Sequence, residues 1–443
     1  MTQYLQEKWA AQAVRYVLAQ FTDIHGIAKG KIVPLNHLQE LVSTGAGFAG
    51  PSIWGLGLPR NGPRSEFYAR ADLISARVLP YQPDTLHIIC DGYVQGQAFE
   101  ACVRQTLKRA VTALAQKNLK LQVGIEPEFF LLEQNAQGQL FIPDPKDCLD
   151  KPSYDLKSLQ RGKVFEYLRN LEQTLRKLGF DVLQIDHEDA PAQYEVNYRY
   201  SDALNAADDF MRFKQAAHAL AEQQGLVFSL MPKPFANRPG SGLHFHLSLT
   251  TLEGNDVCAD NHGGLSELGR FALAGLLKHA RALCALHAPT VNSYKRLVIG
   301  NSLSGSTWAP AHIGWGSNNR TLAARVTAGR IEWRVPDGSC NVYLALAAVI
   351  HAMLDGINQG QHPPAAIETD VYECSPLEIK TAALEPLPQT LQEAIQALAA
   401  NTLLLEAIGP AVMTQFISLK QAEWLEYCHH VSEWEMQRYA SAY

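Results

Sequence analysis

Three short segments constrain this chain most: G-I-E-P-E-F at 124–129, G-S-G-L-H-F-H at 240–246 and G-R-I-E-W-R-V-P-D at 329–337. Each sets ionisable side chains two residues apart inside an apolar run. In an extended strand, residues i and i+2 share a face. Three strands are therefore predicted, presenting Glu126 with Glu128, His244 with His246, and Arg330 with Glu332 and Arg334. Groups of this kind are costly to desolvate without partners. Two carboxylates on one face also repel unless a cation lies between them. Carboxylates and imidazoles opposite guanidinium groups fit a divalent metal that holds a phosphate, and hence an ATP-using enzyme.

Other residues extend the pattern. Glu188 and Glu195 lie in D-H-E-D-A-P-A-Q-Y-E-V-N-Y, with Asp186 and Asp189 adding charge. Acidic loops are common, so this spacing gains weight only beside Glu126 and Glu128. An oxygen-rich set with one imidazole suits Mg²⁺ or Mn²⁺. Arg296, Arg320, Arg325, Arg330 and Arg334 form a dense set. Arginine grips phosphate and carboxylate in bidentate fashion. Gly240 and Gly242 allow backbone N–H groups to approach a ligand closely. Pro127 removes a backbone donor and favours an edge or an irregular strand.

Composition removes several classes. The 443 residues are 47% hydrophobic with a net charge of −6 and no basic block, which argues against nucleic acid as a partner. No run reaches 18 apolar residues, and Tyr343–Leu354 is interrupted by His351, so no membrane span is expected. The N-terminus lacks a signal-peptide pattern, and eight scattered cysteines without a C-x-x-C read as reduced thiols of a cytoplasmic protein. No GxxxxGK[ST] occurs, which excludes the familiar P-loop site.

Two units are expected, 1–100 and 101–443. In the first, helix gives way to strands at 16–21 and 27–33, a short helix at 35–43, a Gly/Pro-rich loop at 45–63, and strands at 78–80 and 86–91. Helices are predicted near 100–117, 156–178, 201–224, 264–286, 341–358, 390–406 and 411–428. Long helices between strands without βαβ alternation argue against a doubly wound parallel sheet and for an α+β fold.

Taken in order, G-I-E-P-E-F, D-H-E…Q-Y-E-V, M-P-K-P-F…G-S-G-L-H-F-H-L-S, N-S-Y-K-R-L, N-N-R-T, R-I-E-W-R-V-P-D and N-V-Y-L-A resemble the motifs of glutamine synthetases over nearly the whole chain. The resemblance implies a small N-terminal β-grasp domain and a larger catalytic domain with a distorted antiparallel β-barrel and surrounding helices. It implies a dodecamer of two hexameric rings with active sites between neighbouring subunits. It implies two or three Mg²⁺ or Mn²⁺ ions per site, with Glu128, Glu188 and Glu195 near the substrate carboxylate and Glu126, His244 and Glu332 at the ATP phosphates. Arg320 and Arg325 would meet phosphates, with Arg330 in the same nucleotide-binding set. Arg296, Arg334 and the Gly240 backbone would meet glutamate, and His246, Ser248 and Tyr200 would lie near the nucleotide. The implied reaction joins glutamate to an amine through γ-glutamyl phosphate, formed from ATP.

The sequence departs from that family at the nitrogen site. The small-domain loop, usually F-D-G-S-S, is F-A-G-P-S, placing Ala49 where an aspartate is expected. The flap is longer, G-N-S-L-S-G-S-T-W-A-P, and Trp308 stands where a glutamate precedes Ala-Pro. A methyl group and an indole suit a small alkylamine, methylamine foremost, better than ammonium. Arg296, Arg320, Trp308 and Asp72 are the expected catalytic group, Asp72 as a remaining acid, with Ala49 and Trp308 in the amine pocket. An ordinary glutamine synthetase and an inactive structural member are the alternatives. Tyr372 resembles a tyrosine that some bacterial members adenylylate, but its surroundings differ and a structural role is expected.

Overall fold

The computed structural model describes residues 2–149, 153–299 and 308–443. Residues 300–307 of the expected flap lie outside this set. The N-terminal strands are β1 (Tyr16–Thr22), β2 (Ala28–Pro34), β3 (Ala46–Ala49), β4 (Glu66–Ala71), β5 (Arg77–Leu79), β6 (Gln82–Val94) and β7 (Gln97–Ala98). They form one sheet in the order β2-β1-β6-β4-β3, with β5 and β7 also on β6. The chain turns at His25-Gly26, where Asp23 Oδ1 accepts from the backbone N–H of His25 and Ile27, at 3.0 and 2.9 Å.

Two strands depart from the sequence reading. β3 lies within the Gly/Pro-rich stretch expected to be irregular, and β4 was not anticipated. Each completes the other: Ala46–Ala49 pairs antiparallel with Glu66–Ala69. Phe48 also packs edge-on against Phe21 with ring centroids 5.0 Å apart. Cross-strand pairing and aromatic packing therefore override the local composition.

The second sheet contains β8 (Leu119–Gln134), β9 (Leu140–Phe141), β10 (Val182–His187), β11 (Gln193–Tyr198), β12 (Ser201–Asp202), β13 (Val227–Ser229) and β14 (Leu243–Thr251). It continues through β16 (Trp315–Ser317), β17 (Ala324–Thr327) and β18 (Arg330–Trp333), while β15 (His312–Ile313) pairs apart with β19 (Glu385–Pro386). The order β10-β11-β8-β14-β18-β17-β16 is antiparallel except at β16/β17 and curls into a nearly closed barrel. Pro127 is not on an edge strand. β8 pairs with β14 from Leu119 to Pro127, and its pairing with β11 begins only at Glu128. The proline sits where the partner changes, so its missing donor costs no ladder bond.

Helices Glu267–His287 and Val342–Gln359 form the centre of the helical layer. They touch through glycine: a Cβ on Gly275 would lie 2.0 Å from the Ala352 carbonyl oxygen, and one on Gly356 2.0 Å from that of Phe271. Val342–Gln359 is the one straight helix among the described residues long and apolar enough to cross a membrane, but it is largely buried in the core. Two expected helices are each broken in two. The first gives Leu156–Leu159 and Gly162–Lys177, with Gly162 at φ 54°. The second gives Leu391–Ala399 and Thr402–Ile408, because the Asn401 side chain caps the latter by accepting from Leu404 N–H.

The first sheet is joined to the helices of the rest of the chain through ions. Arg104, on helix Val103–Ala115, donates to both oxygens of Asp208 at 2.9 and 2.8 Å and to Asp72 and Asp91 of the first sheet region at 3.0 and 2.9 Å. Tyr343 Oη also donates to Asp208. A buried arginine with this many carboxylate partners fixes the joint geometrically.

Candidate active site

The second sheet lines a cavity of about 500 Å³, and every residue on its wall lies between 126 and 334. Strand register explains the gathering. Asp186 on β10 stands opposite Glu195 on β11, and Glu195 opposite Glu128 on β8. His244 on β14 faces Glu126, while His246 faces Glu332 on β18, which faces Arg325 on β17. Directly opposed residues share a face with Cβ atoms about 4.5–5.5 Å apart. Two rows of ionisable groups thus cross one face of the sheet.

His244 is central. Its Nε2 is 3.7 Å from Glu128, and its Nδ1 is 3.7 Å from Glu332 and 3.9 Å from Glu126. Burial, with Arg334 and Arg296 nearby, holds its pKa well below the usual imidazole value, so it presents a neutral ring able to ligate a metal. Glu128 Oε2 accepts from Gly242 N–H at 2.8 Å and from Gln193 Nε2 at 3.4 Å. A Cβ on Gly242 would lie 2.7 Å from His244 Nε2 and 2.8 Å from Arg296 Nη2, so a methyl group here would displace both side-chain ends. Arg296 is buried and donates to the carbonyls of Val335 and Arg334 at 3.1 and 3.0 Å. Glu332 is bound by Arg334 Nη1 and, at 2.8 Å, by Arg325 Nη1. Arg334 Nη2 also donates to the Trp308 carbonyl at 3.0 Å, which ties the half-exposed indole's backbone to the cavity.

The carboxylates crowd one another. Burial, then Glu128 and two aspartates, push Glu188 up to about 8. Burial with Glu126, Glu188 and Glu128 raises Glu195 well above its ordinary value, and burial raises Glu128. Glu126 moves the other way: burial would raise it, but His246, Arg325 and Arg330 more than offset that. Two groups place one ligand atom each within 4.8 Å of one another: Glu126, Glu195 and His244, and Glu126, His246 and Glu332. His246 Nε2 and Glu332 Oε2 are buried without an aligned hydrogen bond, although His246 Nε2 is 2.9 Å from Glu126. Crowded carboxylates, a neutral imidazole and unaligned buried donor atoms fit a divalent cation with oxygen and nitrogen ligands.

Most of the sequence-derived site residues are gathered in this cavity. All six expected metal ligands line the cavity, as do Gly240, His246, Arg296, Trp308, Arg320, Arg325, Arg330 and Arg334. Glu126 belongs to both compact groups, and His246, expected at the nucleotide, joins Glu332, while Arg330 Nε donates to its Nδ1 at 3.0 Å. Ala49, Asp72, Tyr200 and Ser248 are not on the wall. Asp72 is bound by Arg104 and Lys108, which hold its carboxyl below the usual range despite partial burial. Tyr200 is exposed, and its Cβ and that of His246 flank Gly124. Ser248 follows on β14, opposite Gln122. Tyr372 Oη donates to the Ala309 carbonyl, consistent with a structural role.

The cavity adds residues that sequence reasoning did not single out. Gln193 bridges Glu128, the Gly240 carbonyl and Ser241. Asn197 donates to Glu195 at 2.8 Å. Lys233 and Tyr154 also line it. Gln193 and Lys233 fall inside the Q-Y-E and M-P-K-P-F motifs, which was the available signal. Tyr154 stands in no local pattern.

The fold and the paired rows define a carboxylate- and arginine-lined ligase site of the glutamine synthetase type. The family model described as glutamine synthetase, catalytic domain, matches residues 100–439. The chain belongs to the glutamine synthetase family, whose members use ATP and divalent metal ions. It is 46% identical to glutamate–methylamine ligase of Methyloversatilis universalis over 99% of this chain and 98% of that protein. It is 36% identical to glutamine synthetase of Rhizobium meliloti over 96% of each. A solved structure of GmaS in complex with ADP superposes with a TM-score of 0.92 at 36% identity, covering 99% of both chains.

Proposed function

We propose that this chain is an ATP-dependent ligase that joins the γ-carboxylate of L-glutamate to methylamine, giving N-methyl-glutamine, ADP and phosphate. The observation that carries this reading is the pairing of a carboxylate-, imidazole- and arginine-lined cavity with Ala49 and Trp308 at the nitrogen-site motifs. The 46% identity to a glutamate–methylamine ligase over nearly the full length supports the amine.

The chemistry follows from the groups present. A carboxylate is a poor acyl donor because its oxygen leaves badly. Phosphoryl transfer from ATP converts that oxygen to phosphate, and charge neutralisation governs this transfer. Arg320 and Arg325 are assigned to phosphate, and Arg330 holds His246 in place beside them. Arg296, Arg334 and the Gly240 backbone are assigned to glutamate. Glu126, Glu128, Glu188, Glu195, His244 and Glu332 would hold two or three Mg²⁺ or Mn²⁺ ions, which supply charge neutralisation at the phosphates when bound. The amine then attacks the acyl phosphate, and Trp308 beside the cavity disfavours water and favours an alkyl group.

The reading includes a shared site in a dodecamer of two hexameric rings. It is supported by the 45–63 loop, which carries the nitrogen-site motif yet contributes nothing to the cavity of its own chain. Eight unpaired cysteines support a cytoplasmic, reducing setting. The test is amine-dependent ADP release with glutamate across ammonium, methylamine and ethylamine, with product masses. Methylamine should give the highest rate, and ADP release that ignores the amine would overturn the reading.

A further inference from the structure

Behind the acidic wall lies a dyad that no ligand would touch. His187 is fully buried at the end of β10, immediately before Glu188. Its Nε2 lies 2.9 Å from Asp147 Oδ2, and its Nδ1 lies 2.9 Å from the Glu188 carbonyl oxygen. Both ring nitrogens therefore face oxygen atoms that can accept. Asp147, also buried, accepts in addition from Ala192 N–H at 2.7 Å and Ser158 Oγ at 3.3 Å. The 188–192 turn is thus held at both ends from one carboxylate: at Ala192 directly, and at Glu188 through the imidazole. Past the turn, Gln193 carries the constraint to Glu128 and Ser241. The His187 carbonyl also accepts from Tyr154 N–H at 2.9 Å, which pins a second cavity residue to the same point.

We propose that Asp147 and His187 are positioning residues that set Glu188 for metal binding. The inference rests on the reading of Glu188 as a metal ligand. A carboxylate that must approach other carboxylates against their repulsion needs a backbone that cannot retreat. The dyad supplies that rigidity by anchoring the peptide of Glu188 itself. Partners of this outer kind typically contribute about 10–100-fold in metal affinity.

The test is Mn²⁺ affinity by titration calorimetry on the full chain without nucleotide, with thermal melting in parallel. Asp147→Asn puts an amide where a carboxylate meets His187, Ala192 N–H and Ser158 Oγ. His187→Gln keeps a donor toward Asp147 and loses the one to the Glu188 carbonyl, and His187→Asn does the reverse. Asp147→Asn and His187→Gln should each weaken Mn²⁺ binding tenfold or more, as Glu188→Gln should. His187→Asn should retain more affinity than His187→Gln, because it keeps the contact to Glu188. A purely structural role would lower the melting temperature and leave affinity within twofold of wild type, which would overturn the proposal if Glu188→Gln is weakened. If Asp147→Asn does not fold, the comparison of the two His187 variants decides. If Glu188→Gln itself binds Mn²⁺ normally, the ligand assignment fails and the proposal falls with it.

Discussion

Raising pH should tighten metal binding and, without metal, weaken the fold. Glu188 is held near pKa 8 in the folded protein against an ordinary 4.5, and Glu195 and Glu128 are raised beside it. Between those values the folded state binds the proton and the unfolded chain does not. Metal-free stability therefore falls as pH rises through that window. At about 1.4 kcal/mol per unit, Glu188 alone sets an upper bound of about 5 kcal/mol. A divalent cation must displace the same proton, so below about pH 8 its affinity should fall about tenfold per pH unit for each proton released. Calorimetric Mn²⁺ titrations near pH 6.5, 7.5 and 8.5, in buffers of different ionisation heat, count those protons. Release of at least one proton at the lowest pH, diminishing towards the highest, is expected. Affinity independent of pH, with no proton release, would refute the picture of a crowded carboxylate wall awaiting a cation.

Three further outcomes are expected. Glu332→Ala should abolish turnover, and because it removes the buried carboxylate that binds both Arg325 and Arg334, metal-free unfolding by denaturant should lose about 3 kcal/mol; near-normal activity would show the assignment to be wrong. Gly242→Ala should cost tenfold or more in kcat with circular dichroism unchanged, because its methyl would press on His244 and Arg296; full activity would mean that the strand shifts freely. Mixing an inactive variant of the 45–63 loop with an inactive Glu332 variant under subunit exchange should restore activity, and no recovery despite proven exchange would count against a shared site.

The ligand-bearing strands were legible because period-two placement of ionisable groups survives folding intact: Glu126 with Glu128, His244 with His246, and Arg330, Glu332 and Arg334 all reach one cavity. The cross-strand neighbours of each residue were not, because they depend on register between strands distant in sequence. Nothing local to His246 reveals that it pairs with Glu332. The ion pairs of Asp72 were hidden for a related reason. Its partner Arg104 lies on a helix 32 residues away, and only packing of the two sheet regions shows that the carboxylate is already engaged. Strand β3 was hidden by the glycines and prolines of the stretch around it, since composition reports backbone freedom and not the partner strand that removes it.

The central claim is the amine, and one measurement tests it most directly: kcat/KM for methylamine against ammonium, at saturating glutamate and ATP. An apolar pocket discriminates one methyl group by about 1–3 kcal/mol, or roughly 10–200-fold. With Ala49 and Trp308 in place of acids, methylamine should be favoured within that range and ammonium should remain a slow substrate. A higher kcat/KM for ammonium than for methylamine would contradict the account and identify a glutamine synthetase with an unusual nitrogen site.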